Sequence, residues 1–129
     1  MADIYPDEGL DWITTALTGA AAGEELYEIA VGTGTTTPAS GDTGLATEVF
    51  RTDIDADNAA IDFTSRTGEI RIAISVAGGT EVPSGTTITE FGVFADDVNN
   101  SLVYRETAPS TTIDAGERVQ FEANLSFTN

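Results

Sequence analysis

Ten consecutive residues constrain this chain more than any others: Thr86 to Ala95, reading T-T-I-T-E-F-G-V-F-A. β-Branched and aromatic residues fill both alternating sets. As a strand the segment places Ile88, Glu90, Gly92 and Phe94 on one face and Thr87, Thr89, Phe91 and Val93 on the other. Neither face is plainly polar, so the strand belongs in the middle of a sheet, with a second layer or a neighbouring subunit over each side. Glu90 is the exception. A carboxylate between Ile88 and Phe94 is costly to bury unless it is paired, so it requires an arginine, Arg51 or Arg105, or a set of backbone N–H donors. Gly92 beside it marks a close approach of another backbone or a large ring.

The rest of the chain supplies partners for such a strand. Asp7 caps a short helix running to about Thr18, with Leu10, Ile13 and Leu17 as its apolar stripe and Gly19 as its stop. Trp12 lies off that stripe, where it either packs at the edge or anchors a partner. Residues 1–6 are polar and are expected to be a loose arm. Strands follow at Leu26–Val31, Leu45–Arg51 and Glu69–Val76, the last alternating most cleanly, with an edge strand near Ala60–Phe63. Asp96–Asn100 turns the central strand into Ser101–Glu106, and Glu117–Phe127 closes the set. Six or so strands after one helix predict a mainly β, antiparallel β-sandwich, a single domain over 1–129.

Charge restricts the partners. Twenty-two Asp and Glu oppose five Arg, Lys is absent, and the net charge is −17. Such a surface repels nucleic-acid phosphates and anionic membrane alike. The acids are dispersed from Asp3 to Glu122 rather than gathered in a tail, a composition like that of extreme halophiles, in which molar salt screens self-repulsion. Cysteine is absent, and no basic, apolar leader opens the sequence, so the expectation is a protein made soluble in the cell that produces it.

Chemistry is sparsely represented. Without His, Lys or Cys the usual general bases and the amine and thiol nucleophiles are missing, which leaves carboxylates such as Glu48 and Glu90. No enzyme is expected. Asp53, Asp55 and Asp57 stand at alternate positions, like the start of a calcium loop; Thr64 occupies the position where that loop needs a bidentate Glu. A looser calcium or magnesium site or a solvated acidic turn remains. Gly32 and Gly34 open a polar loop, G-T-G-T-T-T-P-A-S-G-D-T-G over 32–44, but no Lys follows as a phosphate-binding loop requires. Polar loops of this length drape over neighbouring subunits, which makes Thr35, Thr36 and Pro38, with Trp12, the expected interface residues.

Three motifs in order are more specific than any one. I-A-V-G-T-G-T-T at 29–36, L-A-T-E-V-F-R at 45–51 and I-T-E-F-G-V-F at 88–94 together resemble a pattern in small structural proteins of tailed viruses, the tail-fibre, tail-collar and related attachment proteins. The resemblance implies a virion protein whose β-rich domain assembles with itself, a trimer by analogy to fibres, or docks on tail or capsid, with no catalysis. The acidic turn at 53–58 and the lack of a fibre shaft depart from that pattern. Capsid decoration, or a carbohydrate- or ion-binding module outside viruses, are the alternatives.

Overall fold

The computed structural model describes residues 3–17, 26–53, 64–66, 69–96 and 99–126 of the 129-residue chain. Its elements are β1 (Asp3–Ile4), α1 (Asp7–Leu17), β2 (Leu26–Gly32), β3 (Glu48–Asp53), β4 (Thr64–Arg66), β5 (Glu69–Ala77), β6 (Thr86–Ala95), β7 (Leu102–Ile113) and β8 (Arg118–Ser126). Five strands form one sheet in the order β1-β7-β6-β2-β3 and three form a second, β4-β5-β8, all paired antiparallel. The two-faced segment is therefore the central strand of the larger sheet. Ile29, Val31, Phe91, Val93 and Tyr104 of that sheet meet Ile72, Ile74, Val76, Phe121, Ala123 and Leu125 of the other, giving a small β-sandwich.

The other face of β6 is covered from within the chain. Ala30, Phe94 and Leu102 form a second cluster there, and Leu45 from the polar loop lies over it. Gly92 makes this possible, because a Cβ on it would stand 2.9 Å from Leu45 Cδ2 and 3.0 Å from Leu102 Cδ1. The approach expected here from a backbone or a large ring is made first by two leucine side chains of the same domain, with the Tyr104 backbone oxygen next at 3.2 Å.

Strict alternation along β6 fails at one point. Ile88 joins Phe91 and Val93 in the main core, while Phe94 packs in the second cluster. Between Ile88↔Thr111 and Glu90↔Thr107 the partner strand advances four residues against two, and this irregularity lets Ile88 and Glu90 occupy different environments. Pro109, which has no N–H to give the ladder, lies within the extra length. Strand β7 accordingly runs well past Glu106, its Thr-rich second half held to β6 by contacts such as Thr87 Oγ1 to Thr112 Oγ1 at 2.9 Å.

Three sequence expectations are corrected here. Residues 3–6 are not a loose arm: Asp3 and Ile4 pair with Glu106 and Arg105, and Pro6 is buried. The helix does not bury Leu10, which is 48% exposed; Gly9 is buried instead, and Trp12 and Ile13 pack on the core. Gly9 decides this. A Cβ there would stand 2.6 Å from Leu102 O and from Val103 Cα, so glycine lets the helix lie directly on the β7 backbone. Finally, the strand expected at Leu45–Arg51 begins at Glu48, because the Ala46 and Thr47 N–H groups bond the Glu90 carboxylate. The edge strand expected at Ala60–Phe63 lies outside the described residues.

Candidate functional site

Glu90 sits in β6 at 0% exposure. Its Oε2 accepts the N–H of Gly34 and of Thr47, both at 2.8 Å, and its Oε1 accepts the N–H of Ala46 at 2.9 Å. Oε1 also accepts Arg105 Nη2 at 3.0 Å and Nε at 3.3 Å. Both solutions available to a buried carboxylate, an arginine and a set of backbone donors, are thus used at once. Burial pushes the Glu90 carboxyl up, but the N–H groups of Thr47 and Ala46, the Arg105 guanidinium and the Gly34 N–H outweigh it and hold it below the ordinary carboxylate range.

The glycines of the G-T-G motif belong to this arrangement. A Cβ on Gly32 would stand 2.6 Å from Glu90 Oε2 and 2.4 Å from Thr47 O, and one on Gly34 would stand 2.4 Å from Oε2. The motif does bring an anion against backbone N–H groups, as phosphate loops do, but the anion is the chain's own carboxylate. Thr89 Oγ1 donates to Gly34 O at 2.6 Å, fastening the same turn from the next residue of β6.

Arg105 of β7, 1% exposed, carries the connection outward. Its Nη1 donates to Asp42 Oδ2 at 2.7 Å and its Nη2 to Thr36 O at 2.8 Å. Asp42 Oδ2 also accepts the Ala39 N–H at 2.9 Å, and Ser40 O accepts the Asp7 N–H at the start of α1 at 2.7 Å. The loop over 33–47 is thereby tied at both ends and along its length to its own domain. Thr35 and Thr36 are exposed and Pro38 is half-buried, so the expected interface residues lie on an internally anchored loop whose order needs no neighbour. Thr36, Asp42, Leu45, Ala46 and Arg105 border an open depression of about 390 Å³ beneath this loop.

Arg51 is not the partner of Glu90. It lies within β3, with β2 between it and β6, and its guanidinium pairs with Glu48 at 2.7 Å and Glu28 at 3.3 Å, bonds Asn100 Oδ1 and stacks 3.7 Å over the Phe94 ring. Asn100, at φ 50, holds the β6–β7 turn, its amide donating to Glu28 and to Ala95 O. Glu48 and Glu90 are each engaged by a different arginine. Asp53 ends β3 and is exposed; Asp55 and Asp57 lie outside the described residues. Trp12 packs on its own core, and its Nε1 is buried with no hydrogen-bond partner among the described residues. Sequence reading missed Gly34, Ala46, Thr47 and Asp42 as partners of the Glu90–Arg105 pair. The G-T-G spacing was the signal that carried part of it. No protein-family model, curated protein or solved structure matches this chain.

Proposed function

We propose that this chain is a structural protein of a tailed virus of a halophilic host, a tail, baseplate or fibre-attachment component that works by self-assembly and docking. One observation supports the reading above the rest: the three segments that carry the resemblance to tailed-virus proteins converge on a single carboxylate. The N–H groups of Gly34 from the first and of Ala46 and Thr47 from the second all donate to the carboxylate of Glu90 from the third. Residues far apart in sequence thus act as one device, which holds a long polar loop rigid on the surface of a sandwich. A rigid exposed loop loses little conformational freedom on docking, which favours assembly contacts. The acidic composition supports the halophilic host, since dispersed carboxylates keep a small protein soluble in molar salt.

Antibody labelling of particles from a halophilic host, viewed by electron microscopy, tests the reading. Label at the tail or baseplate is expected. Label at capsid vertices favours a decoration protein, and unlabelled particles overturn the virion assignment.

A further inference from the structure

We infer that the outer edge of β8 is a self-association surface, on which a second copy of the chain pairs antiparallel, β8 against β8. The inference rests on the assembly reading above and names the surface that reading leaves open. Among the described residues β8 has β5 as its strand partner and ends the smaller sheet. Their pairing runs from Ala77↔Arg118 to Glu69↔Ser126 without a register shift, so the far edge of β8 is long and regular. Among the described residues β1 has two and β4 three, while β3, six residues long, carries a register irregularity against β2 at Val31/Gly32. Natural sheets shield long edges with proline, lysine or bulges. The β8 sequence, R-V-Q-F-E-A-N-L-S, contains no proline, and its register with β5 shows no bulge.

Charge selects this edge for a like partner. The strands of the smaller sheet hold Arg66, Arg71 and Arg118 against Glu69 and Glu122, a net of +1 within a chain of −17. Two such chains meet less repulsion along these strands than their net charge implies. The register follows from the residues. With Gln120 on the two-fold axis, Arg118 of each copy stands opposite Glu122 of the other, and half-buried Val119 stands opposite Phe121 on the core side. Arg118 and Glu122 also interact within their own chain, Arg118 loosely with Glu81 at 3.8 Å and with a side chain 54% exposed. A shift of one pair along each strand would instead bring two Glu122 or two Arg118 residues face to face or leave them unopposed. The product is a six-stranded sheet, β4-β5-β8-β8-β5-β4, with two-fold symmetry in place of the trimer suggested by fibres.

Because the chain has no cysteine, Gln120→Cys tests the geometry directly. Directly opposed antiparallel residues have Cα atoms about 4.5–5.5 Å apart, within disulfide reach. In molar salt, mild oxidation is expected to convert Gln120→Cys mainly to a disulfide dimer, while Val49→Cys on β3 stays uncross-linked. Arg118→Cys and Glu122→Cys are expected to cross-link when mixed and not alone. Light scattering of the unaltered protein is expected to show a dimer or an even multiple of it. A trimer, or an oligomer in which the Gln120→Cys variant forms no cross-link, overturns β8 pairing and leaves the assembly reading standing. A monomer overturns both.

Discussion

Glu90 Oε1 accepts both Nε and Nη2 of Arg105, at 3.3 and 3.0 Å, with the two side chains 0% and 1% exposed. Each charge is desolvated, so each depends on the other and on the loop backbone around it. Glu90→Gln leaves Arg105 buried with Asp42 and Thr36 O as its remaining partners. The expected loss is about 3–5 kcal/mol, the cost of breaking a buried pair from one side, out of the ~5–15 kcal/mol typical of a domain. Urea denaturation in molar salt measures it, and an unchanged midpoint refutes the assignment.

Acid should act on the same group. The folded-state pKa of Glu90 is lowered, so its contribution is fully present above the unfolded value of ~4.3 and is lost as pH falls through the folded value. Many other carboxylates titrate in that range, so the informative quantity is the difference between wild type and Glu90→Gln. That difference should be constant from pH 7 to about 5 and shrink below about pH 4. A difference that grows on acidification contradicts the lowered pKa.

Two glycines of one loop should respond oppositely to alanine. Gly34→Ala puts a methyl 2.4 Å from Glu90 Oε2 and from Ala46 Cβ, and is expected to cost about 1–3 kcal/mol by overpacking. Gly41→Ala meets nothing within 4 Å and should be neutral or stabilise by up to ~1 kcal/mol through the unfolded chain. Equal thermal midpoints for the two variants would show that the loop is not clamped on Glu90.

Gly9→Leu should separate the helix from β7, since even a Cβ there stands 2.6 Å from the Leu102 carbonyl oxygen. Trp12 packs from the same helix, so its fluorescence reports the change: a red shift from greater solvent contact is expected. Leu10→Ala, at a residue 48% exposed, serves as the control and should leave the emission in place.

Folding is expected to depend on salt. At −17, dialysis from molar salt into about 0.1 M lengthens the Debye length from roughly 3 to 10 Å and lets neighbouring carboxylates repel. Loss of the β-sheet circular dichroism signal is the expected result. Full signal in dilute buffer would remove the main support for a halophilic host.

The central position of Thr86–Ala95, the antiparallel β-sandwich, the helix from Asp7 and the alternating strands, read at 69–76 and 117–127 and found at 69–77 and 118–126, were legible in the sequence alone. Each is written in residues adjacent along the chain, where period-two alternation and capping act locally. Glu90 also announced its own need, because a carboxylate among apolar neighbours requires compensation wherever it folds. Which groups supply it was decided only by the tertiary structure. Gly34 lies 56 residues away in sequence and Ala46 44, and no local rule encodes such distances. Arg51 and Arg105 were equivalent as candidates, and both fall in the row of Gly92, until the strand order put Arg105 on β7 directly beside β6 and left Arg51 on β3 with β2 between, where it went to Phe94 and Glu28. The same long-range pairing shifted the phase of Ile88, drew residues 3–4 into the sheet and folded the polar loop onto its own domain. Its threonines and glycines look made for solvent or a neighbour. Their backbone N–H groups had a buried anion to satisfy, and that requirement outweighed the polarity of their side chains.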